Sequence, residues 1–76
     1  MKQYRQLPAL VRQKIDKQIQ QLMRDPQHPS LRVKKMINYH HIWEARVDGQ
    51  YRMTFELHDT VIQMRKVGTH QIYRNP

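Results

Sequence analysis

Arginines at positions 46, 52 and 65, with a glutamate at 44, sit in the C-terminal half among apolar residues that alternate with polar ones. Alternation of that kind is the period of a strand with one buried face, so Glu44, Arg46, Arg52, Thr54, Gln63 and Arg65 are expected to share the opposite face. Guanidinium groups gathered on one face suit an anion with paired oxygens, because each fork donates two parallel hydrogen bonds to carboxylate or phosphate. An outer face that simply meets water, with Glu44 screening its neighbours, fits the same pattern. The adjacent His40 and His41 are not a metal pair on this reading, since neighbours on a strand point to opposite faces. No metal site and no cofactor are expected, and His28 and His58 read as polar loop residues.

Which of these side chains meet depends on the turns between strands. A three-residue loop at Asp48-Gly49-Gln50 pairs Val47 with Tyr51, Arg46 with Arg52, Ala45 with Met53 and Trp43 with Phe55. A two-residue loop would set Ala45 against Arg52 and bury a guanidinium, which costs several kcal/mol. A two-residue turn at His58-Asp59 predicts Leu57 against Thr60, Phe55 against Ile62, Met53 against Met64 and Arg52 against Arg65. Both hairpins then agree on one apolar face, and Arg52 stands opposite both other arginines. Like charges directly across a ladder destabilise it, and an anion held between them would offset that cost.

The rest of the chain must supply the layer that covers the apolar face. Leu7, Val11, Ile15, Ile19 and Leu22 recur at helical spacing, with Leu10 and Met23 widening the stripe. Lys14, Lys17, Gln13, Gln20 and Gln21 fill the other side. A helix is predicted over 8–24, stopped by Asp25-Pro26, with residues 2–6 forming part of an earlier helix. Residues 25–30 read as a loop, 31–36 as a short extended segment, and 42–47, 51–57 and 60–67 as strands. The fold class is α+β: a helix or helical hairpin packed on a twisted antiparallel sheet of about three strands, in one domain spanning 1–76.

The charge is lopsided, with 14 Lys and Arg against 6 acidic residues and a formal +8 in 76 residues. Such a balance points to a polyanionic partner: nucleic acid, the ribosome or an acidic protein segment. With no cysteine, disulfides and thiolate metal sites are excluded. No apolar run approaches a membrane span or a signal peptide, so a cytoplasmic protein without a membrane partner is expected. A core this small leaves little stability in reserve, and a partner chain or a homodimer would support it.

The segment IWEARV-DGQ-YRMTFEL-HD-TVIQMRKVGTH-QIYRNP resembles the C-terminal half of RelE-type toxins, with a Trp-initiated strand, a "YR" strand and a strand closing in "VGTH" shortly before a tyrosine. YRQLP…KIDKQIQQL and DPQHPSLRVKKM resemble the preceding helix and its basic connection. The resemblance to the RelE/ParE superfamily covers nearly the whole chain, although relatives usually open with a strand that this sequence lacks. It implies two helices on an antiparallel sheet, and the toxin of a type II toxin–antitoxin system. In the RelE branch the activity is cleavage of mRNA in the ribosomal A site; the ParE branch instead poisons DNA gyrase. A toxin that has lost its catalysis and survives as a binding module is a third reading.

Carried over by motif, Arg52 matches the arginine that contacts the scissile phosphate and Arg46 a basic residue one strand earlier. His70 falls where nuclease members place a basic or histidine side chain, and Tyr73 near their C-terminal tyrosine. Glu44 departs from relatives that carry a basic residue there. RNA offers its own 2′-hydroxyl as nucleophile, so the enzyme needs a base, cations for the phosphate and an acid for the leaving oxygen. Arg52, Arg46 and Arg65 are expected to hold the phosphate, His70 to act as acid, and Glu44 or Tyr73 as base, without a metal. Lys34 and Lys35 are candidates for RNA backbone contacts, and Tyr39 and Trp43 offer rings for base stacking, a role in which Trp43 competes with core packing. The partners implied are mRNA on the ribosome and an acidic antitoxin.

Overall fold

The computed structural model describes residues 2–69, 71–72 and 76. A short helix, α1 (Lys2–Arg5), leads into α2 (Ala9–Arg24). Pro8 stands before the first turn of α2 with φ −55°, a position where its fixed dihedral and missing N–H cost nothing. Its carbonyl accepts from Arg12 at 3.0 Å. At the other end Asp25 N–H closes on Gln21 O at 2.8 Å, and Pro26 follows.

A 3-10 turn (Pro29–Leu31) connects α2 to the sheet: β1 (Lys34–Lys35), β2 (Ile42–Arg46), β3 (Arg52–His58) and β4 (Val61–Gly68). The sheet is antiparallel in the order β1-β2-β3-β4. Residues 31–36 thus contribute a fourth, two-residue strand, one more than the alternating pattern alone predicts. The α+β architecture, a helix packed on an antiparallel sheet, is as expected.

Helix α2 lies on the inner face of the sheet. Ile15 and Leu22 from the helix pack with Leu31, Ala45, Val47, Met53, Phe55 and Val67 as the buried core. Burying each large apolar side chain of this kind stabilises by about 1.5–3 kcal/mol. Trp43 and Tyr51 are half-buried against the same cluster, so Trp43 serves packing. Two expectations for the helix fail: Leu10 and Met23 are exposed. Gln18 occupies the buried stripe in their stead, its amide donating to Arg46 O at 3.0 Å and Ser30 O at 3.4 Å. A hydrogen-bonded carboxamide can sit where the periodicity asked for a hydrocarbon.

The β2–β3 register is the predicted one, with Arg46 opposite Arg52, Ala45 opposite Met53 and Trp43 opposite Phe55. In β3–β4 the turn falls one residue later, at Asp59-Thr60, so His58 pairs with Val61 and Phe55 with Met64. Asp59 takes the left-handed conformation, φ 52°, which aspartate tolerates better than most side chains. Arg65 then bulges out, because Thr54 pairs with Lys66 and Met53 with Val67. Arg52 consequently faces Gly68, which corrects the expectation that it faces Arg65. A slip of two residues keeps every side chain on its predicted face, and the bulge exchanges Lys66 for Val67 on the core side. His40 and His41 lie in a turn before β2, not on a strand, with their rings 6.4 Å apart.

Candidate functional site

The outer face of the sheet, away from α2, carries most of the residues singled out from the sequence. Its first cluster forms at the β2–β3 turn. Asp48 Oδ1 accepts from the N–H groups of Gln50 and Tyr51, both at 2.8 Å, so the carboxylate builds the turn. The Asp48 carbonyl accepts from Arg46 Nε at 3.2 Å and Arg52 Nη1 at 2.6 Å, and Arg52 Nη1 also donates to Tyr51 O at 3.0 Å. Two half-buried guanidinium groups are thus held side by side by one shared acceptor, which accounts for a like-charge pair directly across the ladder. Lys14 reaches the Asp48 Oδ2 from α2 at 3.3 Å. Partial burial works against ionising Asp48, but the two amide hydrogen bonds and the Lys14 ammonium outweigh it and hold the pKa below the usual carboxylate value.

The second cluster lies mid-sheet, where the bulge aims Arg65 across the face. Arg65 Nη1 donates to Glu56 Oε2 at 2.6 Å, and its Nε donates to the main-chain oxygen of Pro76 at 3.2 Å. The Arg65 hydrogen bond is the main cause of a Glu56 pKa below its ordinary value, with the charges of Arg65 and His58 acting in the same direction. Thr54 is fully buried here: its hydroxyl donates to the same Pro76 oxygen at 2.9 Å and accepts from Lys66 N–H at 3.2 Å. Glu44, next along the face, is 4% exposed, and Lys34 Nζ covers it at 3.3 Å. Lys35, opposite Trp43, is exposed.

The three arginines therefore make two clusters, Arg46 with Arg52 at the turn and Arg65 with Glu56 and Pro76 mid-sheet. The face between them is closed over by Pro76, where the sequence pattern allowed an open polar surface. His70 and Tyr73, the expected acid and one of the expected bases, lie outside the described residues. Among the described residues nearby, Ile72 N–H donates to Thr69 O at 3.0 Å, and the Ile72 side chain lies against Gly68. A Cβ on Gly68 would stand 2.6 Å from Ile72 Cγ2, so the glycine of "VGTH" is needed for close approach. Asp48, Gly68 and Pro76 are no site residues by sequence pattern; they act on the site through main-chain oxygens or the lack of a side chain, which leave no trace in polarity patterns.

No family model and no curated protein sequence matches the chain. Among solved structures, a chain of the RelB–RelE antitoxin–toxin complex from Methanococcus jannaschii is similar, with a TM-score of 0.68 and 26% identity over 90% of this chain and 81% of that one. The likeness read from short motifs thus extends to three dimensions and to most of both chains. By fold and by sequence pattern, the chain resembles a component of a toxin–antitoxin system.

Proposed function

We propose that the chain is the toxin of such a pair and that it acts in the cytoplasm as a metal-independent, RelE-like endoribonuclease on ribosome-bound mRNA. The observation that carries this reading is the pair Arg46 and Arg52, held side by side against one oxygen acceptor. Donors fixed in advance around an oxygen are what a pentavalent phosphate needs, since they then stabilise developing charge without reorganising. In the reaction the 2′-oxygen forms a bond to phosphorus and the bond to the 5′-oxygen breaks. A base takes the 2′-hydroxyl proton, and an acid protonates the departing 5′-oxygen, leaving a 2′,3′-cyclic phosphate and a 5′-hydroxyl. Arg52 and Arg46 hold the phosphate, Arg65 assists, and His70 is the acid. Tyr73 is preferred as base over Glu44, because Glu44 is buried under Lys34. Lys34 and Lys35 contribute backbone contacts. An acidic antitoxin segment covers the arginine-bearing face in the resting pair, consistent with the +8 charge.

The decisive experiment is primer extension on cellular mRNA after a pulse of expression, with Arg52→Ala alongside. Breaks within codons that fall by roughly 10²–10³-fold in the variant, the usual loss for one oxyanion donor, support the assignment. Unchanged growth arrest in Arg52→Ala at equal expression removes Arg52 from the mechanism. Intact mRNA together with gyrase-dependent DNA damage replaces the nuclease with a gyrase poison.

A further inference from the structure

Helix α2, the loop after it and the end of β2 line a groove of about 580 Å³ that meets the site above at Arg46 and Asp48. Lys14, Lys17 and Gln21 line it from the helix, His28 from the loop, and Arg46 and Asp48 from the β2 end. Positions 14, 17 and 21 are spaced three and four apart, so they form one stripe along the helix surface. Lys17 is exposed and makes no ion pair among the described residues. The only carboxylate, Asp48, is already engaged by two amide N–H groups and Lys14.

The walls are fixed in place. Gln18, 8% exposed, ties the helix to Ser30 O and Arg46 O through its amide. His28 Nδ1 accepts from Ser30 N–H at 3.2 Å, which in the neutral ring puts the proton on Nε2 and leaves that nitrogen a donor. The groove is therefore lined by ammonium, imidazole and carboxamide donors around an acid that is already engaged. It also adjoins the Asp48–Gln50 turn, whose outer side carries the Arg46 and Arg52 pair.

We infer that this groove binds the phosphodiester backbone of an RNA strand beside the nucleotides held on the outer face. Phosphates are the class favoured: the groove offers two lysines, a carboxamide and an imidazole, and its carboxylate is already engaged, as backbone recognition without base readout requires. The inference rests on the RNA reading of function for the ligand's identity and not for the groove's affinity, which can be measured without cleavage.

The probe is a fluorescein-labelled, 2′-O-methyl oligonucleotide, which cannot be cut, titrated with the full chain at several potassium chloride concentrations. Lys17→Glu with Gln21→Glu should weaken binding at least roughly 10-fold and flatten the salt dependence by about 0.7 per lost phosphate contact. Lys17→Gln, which leaves the helix surface nearly unchanged, should give a smaller loss in the same direction. Wild-type affinity and salt slope in both variants would overturn the proposal. So would displacement of the oligonucleotide by low-millimolar inorganic phosphate at constant ionic strength, which would mark a single-anion site. Loss of binding to an acidic peptide with RNA binding intact would make the groove a protein-docking surface and also overturn it. Cutting by the wild type and by Arg52→Ala separates the two readings. If the wild-type chain leaves mRNA intact while the groove variants lose oligonucleotide, the nuclease assignment fails and the groove stands. If Arg52→Ala abolishes cutting while the groove variants bind normally, the reverse holds.

Discussion

The two faces of the sheet are held by different physics. On the inner face, Ala45, Met53, Phe55 and Val67 meet Ile15 and Leu22 in a dry, interlocking contact, whose stability scales with area removed from water and needs no particular bond. On the outer face, Thr54 and Glu44 are buried just as deeply, but directed polar contacts keep them there: Thr54 to Pro76 and Lys66, and Glu44 to Lys34, with Arg65 bonded to Pro76 and Glu56 beside them. The first arrangement tolerates rearrangement and dislikes voids. The second tolerates little displacement, because a buried polar group that loses its partner costs the full price of desolvation.

The sharpest test of that contrast is Phe55→Ala. Removing a ring that is 1% exposed should cost about 3–5 kcal/mol, enough to unfold much of a domain this small. Urea denaturation followed by circular dichroism would measure it, and a loss under about 1 kcal/mol would mean that the inner face is not the main support. Gly68→Ala should cost less, about 1–3 kcal/mol as an overpacked site, and its effect should be local. Limited proteolysis should cut the C-terminal segment faster while hydrogen exchange in α2 is unchanged; equal protection throughout would show that Ile72 accommodates the methyl group. The smallest effect concerns acid. Asp48 titrates below its unfolded value in the folded chain, so the stability it lends is complete above roughly pH 4. That contribution is lost as pH falls through the lower, folded value. Asp48→Asn should flatten this part of the stability–pH curve by under about 1 kcal/mol, the scale of an exposed ion pair. An unchanged acid limb would assign the dependence to Glu56 instead.

The inner face was readable from sequence because hydrophobic period and strand period coincide. Trp43, Ala45, Met53 and Phe55 specify the β2–β3 register once burying Arg52 is ruled out, and that register is observed. The β3–β4 pairing was misjudged by two residues because the decision belonged to one backbone dihedral, the left-handed Asp59. Period alone also cannot reveal a bulge, since Arg65 looks like an ordinary outward residue. At the site, the Arg46–Arg52 pairing was legible, whereas the role of Pro76 was not, because it works through a main-chain oxygen that every residue possesses. Leu10 and Met23 misled for the opposite reason: their chemistry called for burial, but they stand on the two flanks of the helix stripe that Ile15, Gln18 and Leu22 bury.

The bulge at Arg65 also has an evolutionary reading. In β4 the residues before it, Ile62 and Met64, and the one after it, Val67, all keep to the core side only because one extra residue stands between them. Deleting codon 65 would leave Met64, Lys66 and Val67 in strict alternation, so the strand would pair regularly with its hydrophobic pattern intact. Deleting codon 63 would invert part of the strand instead. Position 65 is therefore a place where a lineage can gain or drop a single codon, and with it a guanidinium on the outer face, without disturbing the strand's alternation; the cost falls on the hydrogen bonds to Glu56 and Pro76.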